Sequence, residues 1–183
     1  CLMCGLCERY CVKECYHIFG EEVTAEKLLE EVIKDSAFYK NSGGGVTVSG
    51  GEPTLQDEFL IRFFELCKQK GLDTALESHG YAEESIFRKL ASCVDHFFLD
   101  VKHMDSEIHR EVVGVSNDKI LKNIQMLAEE YRCDVSLRMP FIPGFNDTKE
   151  NIILFGEFAK RIKEKGHLTM VHLLPYHNLG KSK

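Results

Sequence analysis

The sequence predicts an α/β fold organised around a parallel sheet, and three observations carry that expectation. Five short β-branched or apolar runs recur along the chain, amphipathic segments of helical spacing separate them, and polar side chains gather where each run ends. Parallel strands need a crossover, and helices that return the chain to the sheet cover its outer face. At 183 residues, 44% of them hydrophobic, the chain can bury one substantial core but not two comfortable ones.

The elements follow in order. A first helix is expected over about 24–40, because Leu28, Leu29, Val32, Ile33 and Phe38 recur at helical spacing and Thr24 can cap it. Gly43, Gly44 and Gly45 read as a flexible connection into a strand at 46–50, VTVSG. DEFLIRFFELCKQKG is an amphipathic helix stopped by Gly71, and DTALESHG is the next strand. A helix at about 83–92, the strand HFFLDVK (96–102) and a short helix near 106–113 follow. NDKILKNIQMLAEEY is a helix that Asn117 or Asp118 can cap, and DVSLRMPFI is a strand that Pro140 and Pro143 terminate. A capping box from Asp147 to Glu150 opens the last helix, Gly166 closes it, and LTMVHLLPY is the fifth strand.

Charge and hydropathy exclude two classes of partner. The 23 basic residues are outnumbered by 29 acidic ones and nowhere form a cluster that could track a phosphate backbone, so no nucleic-acid partner is expected. The apolar runs are far shorter than a bilayer span and no leader pattern is present, so the expectation is a soluble, cytoplasmic protein with no membrane partner.

Parallel sheets carry ligands at the carboxyl ends of their strands. Here those ends hold Ser49-Gly50-Gly51-Glu52, Glu77-Ser78-His79, Asp100-Val101-Lys102, Arg138 and, after the last strand, His177. Strand alternation places Asp100 with Lys102, and Glu77 with His79, on one face. One charged pair at a strand end is more often structural than catalytic. Polar groups at five successive ends predict a ligand with charged and hydrogen-bonding parts, and glycines at 50 and 51 let it approach the backbone. The glycines are not a GxxxxGK phosphate loop, and neither HExxH nor GxSxG occurs. His17, His96, His109 and His167 read as surface or edge residues, and Cys67, Cys93 and Cys133 as small buried hydrophobes.

The remaining cysteines are crowded at the start, in CLMCGLCERYCVKEC. Cys1, Cys4, Cys7 and Cys11 have the CxxCxxCxxxC spacing with which bacterial-type ferredoxin segments hold a [4Fe-4S] cluster. Two features depart from that pattern. Val12 stands where the ferredoxin run has proline, and in two-cluster ferredoxins the fourth cysteine serves the other cluster, which leaves Cys11 in search of partners. Cys15 is either inert or a substitute ligand.

The strings KDSAFYKNSGGGVTVSGGEPTLQ, LESHGY, FLDVKHMDSEIH, GVSN, LRMPFIPGFND and LLPYHNLGKSK, in this order over 23–183, resemble the glycyl-radical-enzyme activating enzymes of the radical S-adenosylmethionine superfamily. The resemblance implies a partial (β/α)6 barrel, here lacking its first strand, with residues 1–19 the remnant of a ferredoxin-like insert and 20–183 the barrel. It implies an oxidoreductase of anaerobic metabolism in which a [4Fe-4S] cluster reduces S-adenosylmethionine to yield a 5'-deoxyadenosyl radical. That radical takes hydrogen from a glycine of a partner, pyruvate formate-lyase or a related dehydratase or lyase, with flavodoxin or ferredoxin as electron donor. By matching position, Gly50, Gly51 and Glu52 meet the cofactor's amino group, Asp100, Val101 and Lys102 lie beside it, Arg138 is near its carboxylate and His177 near its ribose or adenine. Glu77, Ser78 and Asp100 match positions that can hold a monovalent cation. The family's CxxxCxxC is not in these 183 residues, since Ile18 stands where Cys11-x-x-x-Cys15 would need its third cysteine. The expectation is therefore a fragment inactive alone. Two other readings are an iron–sulfur electron-transfer module and a non-catalytic domain that binds the glycyl-radical partner.

Overall fold

The computed structural model describes residues 4–13, 15–17, 20–131 and 133–177. After a short helix α1 (Leu6–Tyr10), the chain forms α2 (Ala25–Ile33), α3 (Ser36–Ser42), β1 (Gly45–Val48), α4 (Asp57–Gln69), β2 (Asp73–Ser78), α5 (Glu84–Leu90) and β3 (His96–Asp100). It continues through α6 (Ser106–Val113), α7 (Asp118–Glu130), β4 (Asp134–Phe141), α8 (Lys149–Lys165) and β5 (Leu168–Pro175). The five strands are parallel and lie in the order β1-β2-β3-β4-β5. Right-handed crossovers that always step the same way put the helices between the strands on one side. The sheet is therefore part of a barrel wall, not a doubly wound sheet with a switch point.

Burial follows this geometry. Leu76, Phe97, Leu99, Val135, Leu137 and Met139 point to the helices and are buried against Leu60, Phe63, Phe64, Phe87, Ile124, Leu127 and Phe158. The alternate residues Glu77, Phe98, Asp100, Arg138 and His172 are only half-buried, on the opposite, concave face. Among the described residues no helix is long and apolar enough to cross a membrane.

Several local expectations change. The helix expected over 24–40 is two helices: Lys34 and Asp35 take i−3 carbonyls from Glu31 and Val32, tightening the turn, and Asp35 begins α3. Gly45 is not a flexible linker residue, since a Cβ there would overlap the Asp73 carbonyl of β2. Pro140 does not end its strand. It pairs with Leu174 inside β4 on the side where β3 has already stopped, so its missing N–H costs no ladder bond, and its carbonyl accepts from Asn146 Nδ2 at 2.7 Å.

The capping box at Asp147 is also replaced. Thr148 is the N-cap of α8 and accepts from Asn151 N at 3.3 Å, while Asp147 Oδ1 accepts from Gly144 N at 3.0 Å. Thr148→Ala is therefore expected to lower unfolding stability by about 1 kcal/mol. Asp147→Ala should leave the helix cap intact, and equal melting shifts for the two variants would contradict this assignment.

Candidate functional site

The strand ends place the expected residues in two linked groups. In the first, Glu52 lies just after β1 with its side chain only 8% exposed. Its Oε1 accepts from Thr54 N (3.1 Å), Thr54 Oγ1 (2.7 Å) and Ser78 Oγ (2.8 Å). Its Oε2 accepts from His79 N (3.0 Å) and lies 3.2 Å from His79 Nε2. His79 Nδ1 accepts from Tyr81 N at 3.0 Å, so the ring proton sits on Nε2 and is donated to Glu52. Burial works to raise the Glu52 carboxyl, but the donors from Thr54, His79 and Ser78 outweigh it and hold it below the usual glutamate value. Glu52 thus ties the loop of Gly50 (φ 128°) and Gly51 to the end of β2.

The second group crosses the concave face. Arg138 on β4 donates from Nε to Asp100 Oδ1 on β3 and pairs through NH1 with Glu77 Oε1 on β2, both at 2.9 Å. Burial opposes the guanidinium charge, but Glu77 and Asp100 more than offset it and push the group further up. Three Arg138 N–H donors remain beyond these two bonds. Val101 is fully buried and donates from its backbone to Arg138 O at 2.8 Å, which locks β3 and β4 at this level.

Lys102 lies beyond the end of β3, and its ammonium has no partner among the described residues. With His79, Tyr81, Asp100 and His109 it borders a cavity of about 260 Å³. Ser49, Gly51 and Glu52 border a different cavity of about 400 Å³. The trio Glu77, Ser78 and Asp100 is divided: Ser78 bonds to Glu52, and the two carboxylates bond to Arg138. His177 is exposed past the end of β5, with no bonded partner among the described residues.

Buried asparagines hold these strand-end loops, and sequence reasoning missed them. Asn146 Nδ2 donates to the carbonyls of Lys102 and Pro140, each at 2.7 Å. Asn117 is the N-cap residue of α7, as expected, but its side chain makes no cap bond and donates to the carbonyls of His103 and Met104, both at 2.8 Å. Asn123 donates to Gly80 and Ala82. The signal for Asn117 and Asn146 was present in the quoted strings GVSN and GFND, where an amide at a loop end can satisfy carbonyls that the sheet leaves open, whereas Asn123 lies inside α7. His109, expected at the surface, is buried.

Among the cysteines, Cys1 lies outside the described residues. Cys4 and Cys7 are exposed, Cys11 is half-buried, and the Cys15 backbone N–H donates to Cys11 Sγ at 3.3 Å. Among the described residues no three His, Cys, Asp or Glu side chains gather as a metal site. Burial raises the thiols of Cys67, Cys93 and Cys133 to about 11, in keeping with inert core residues.

The profile of the radical SAM superfamily matches residues 2–156. The chain belongs to the radical SAM superfamily. Its relatives are activating enzymes. It is 39% identical over 166 residues to the choline trimethylamine-lyase activating enzyme of Oleidesulfovibrio alaskensis, covering 91% of this chain and 53% of that protein. It is 40% identical over 187 residues to the 4-hydroxyphenylacetate decarboxylase activating enzyme of Clostridioides difficile, covering 99% and 58%. A crystallised domain of the pyruvate-formate lyase-activating enzyme of Bacteroides vulgatus is 36% identical, with a TM-score of 0.67 over 74% of this chain and 82% of that one. The radical SAM chain thus spans about half the length of the first curated relatives it matches. Streptococcus suis SuiB bound to S-adenosylmethionine, 18% identical with a TM-score of 0.69 over 90% of this chain and 36% of that one, shares the fold. The five-stranded sheet is accordingly a partial radical SAM barrel.

Proposed function

We propose that this chain is the part of a glycyl-radical-enzyme activating enzyme that seats S-adenosylmethionine. The observation that carries the reading is the Glu77–Arg138–Asp100 array across three adjacent strand ends, with the unpartnered Lys102 beside it. A zwitterionic sulfonium needs acids for its ammonium, bases for its carboxylate and backbone polar groups to fix its pose. The donor set fits that need. Glu77 and Asp100 supply acceptors, the three remaining N–H groups of Arg138 and the Lys102 ammonium supply donors, and Gly50 and Gly51 present bare backbone. Glu52 acts by holding that loop, since its oxygens are already engaged by Thr54, Ser78 and His79. Val101 positions Asp100 and Lys102, and His177 serves the cofactor's ribose or adenine. Glu77, Ser78 and Asp100 remain the proposed surroundings of a monovalent cation.

When bound and given one electron by a [4Fe-4S] cluster, S-adenosylmethionine would supply radical chemistry that takes hydrogen from a glycine of the partner, pyruvate formate-lyase or a related enzyme. The described cysteines do not fit the cluster this chemistry requires, since no ligand set assembles among them and CxxxCxxC is absent from the sequence. No step is therefore assigned to them. Cys1, Cys4, Cys7 and Cys11 are read as the remnant of a ferredoxin-like insert over 1–19, and flavodoxin or ferredoxin as the electron donor of the activating enzyme.

Equilibrium dialysis of the purified chain against S-adenosylmethionine tests the reading. Saturable binding is expected, weakened about tenfold or more by Lys102→Met, which removes one charge-assisted contact. A folded chain with no saturable binding at about 1 mM ligand would refute it.

A further inference from the structure

Past Asp100 the chain leaves the sheet, and side chains take over from the strand in holding it. Asp100 pairs with Arg138 at the last step of the β3–β4 register, and two residues further along β4 Pro140 has no N–H to offer. The backbone over 102–105 must therefore find its partners elsewhere, since buried N–H and C=O groups are costly to leave unmade. Three asparagines supply them, none more than 2% exposed. Asn146 donates to Lys102 O and to Pro140 O, each at 2.7 Å, while its Oδ1 accepts from Ile142 N at 2.8 Å. Asn117 donates to His103 O and Met104 O, both at 2.8 Å. Asn151 accepts from Met104 N through Oδ1 and donates from Nδ2 to Asn146 O, both at 2.9 Å.

The three reach the segment from different parts of the fold. Asn117 stands immediately before α7, Asn146 lies in the loop from β4 to α8, and Asn151 is in the first turn of α8. A carboxamide suits the task because it alone among uncharged side chains offers two donors and an acceptor on one rigid plane. The segment closes on itself as well: Asp105 N donates to His103 Nδ1 at 2.9 Å, and the buried His103 ring packs on Phe145 with centroids 5.4 Å apart. Lys102 is the exception at its tip, where the ammonium has no partner among the described residues. Its place is therefore set from the backbone end, through its own carbonyl on Asn146 and the next one on Asn117. Backbone held in advance spares a ligand the cost of ordering it, which is how preorganisation raises affinity.

We propose that Asn117, Asn146 and Asn151 are positioning residues, a buried amide cradle that fixes the backbone over 102–105 so that the Lys102 ammonium is presented to S-adenosylmethionine before it binds. The identity of the ligand rests on the seat proposed above, while the hold of the cradle on the backbone does not.

The test has a ligand-free arm and a binding arm. Nitrogen-15 relaxation of the parent chain should give order parameters of about 0.85 at the Lys102, His103 and Met104 amides, and a flexible segment there would overturn the proposal without any variant. Asn146→Ala and Asn117→Ala remove the cradle from different elements, so one still decides if the other does not fold. In either, the three amides should drop to about 0.6 or below while Phe98 and Leu99 inside β3 keep their values. Equilibrium dialysis then separates positioning from stability. Each variant, held below its melting temperature, should bind S-adenosylmethionine about fivefold more weakly than the parent. Placed in a Lys102→Met background the same substitution should cost about twofold or less, because the ammonium it positions is gone, whereas its effect on melting should be equal in both backgrounds. Unchanged order parameters in a folded variant, or equal losses of affinity in the two backgrounds, would overturn this proposal alone and leave the seat standing. No saturable binding by the parent would overturn the seat and the positioning role together.

Discussion

Arg138→Leu is expected to destabilise the chain by about 2 kcal/mol, measured by urea unfolding near neutral pH. Arg138 spans three strands, and its side chain and that of Asp100 are each only 18% exposed. Removing it leaves Glu77 and Asp100 on the same concave face with no cation between them. Breaking a fully buried pair costs about 3–5 kcal/mol, and the 37% exposure of Glu77 discounts that figure, since water screens part of the repulsion. Arg138→Lys should recover less than half of the loss. An ammonium is a point charge, and it cannot reproduce the fork that engages Asp100 through Nε and Glu77 through NH1.

The decisive comparison is the neutral triple variant Glu77→Gln, Asp100→Asn, Arg138→Leu. Deleting a whole charge network costs less than stranding part of it, so the triple variant should be more stable than Arg138→Leu alone by about 1 kcal/mol. If it is equally or less stable, the array is not held by charge balance. All three variants should also lose S-adenosylmethionine affinity, because each removes a donor or acceptor from the proposed seat.

What the sequence disclosed follows from which interactions are local. The strands were legible because each is a compact apolar run, and the rim was legible because parallel topology sends every strand's carboxyl end to the same side. The register was not legible. Nothing local says that Asp100 pairs with Arg138, or that Glu77 stands opposite Phe98, two residues short of Asp100. For that reason the two carboxylates from neighbouring strands that hold Arg138 could not be read beside it. The contacts of Glu52 were no more legible, since its donors at Ser78 and His79 lie 26 and 27 residues away. His109 read as a surface residue because α6 carries charge on most of its turns, and only the carbonyl of Val115, delivered by the turn at Gly114 (φ 95°), gives its ring a buried place. Pro140 shows the limit of a propensity rule. Proline ends a strand when a ladder bond is at stake, and none was.

Glu52→Gln is the second large effect, with an expected loss of about 2–3 kcal/mol, and its chemistry is more constrained than its modest change in shape suggests. The carboxylate presents acceptors on both sides. An amide presents one acceptor and one donor, so one side must fail. If the amide NH2 faces β2, it meets the His79 backbone N–H and the His79 Nε2 proton. The ring cannot relieve this by shifting its proton to Nδ1, because Nδ1 already accepts from Tyr81 N. If the NH2 faces the other way, the Ser78 and Thr54 hydroxyls can rotate, but the Thr54 backbone N–H cannot. In either orientation a backbone donor is stranded.

The same residue sets an acid limit. The Glu52 carboxyl is held below its unfolded value, so its contribution is present above about pH 4.3, the unfolded glutamate value, and disappears as pH falls through the lower folded value. Unfolding free energies measured across that interval should fall for the parent chain and fall less steeply for Glu52→Gln, which has no carboxylate to protonate. The two curves should therefore converge toward acid. Parallel curves would mean that Glu52 is not the group whose ionisation ties the Gly50–Gly51 loop to β2.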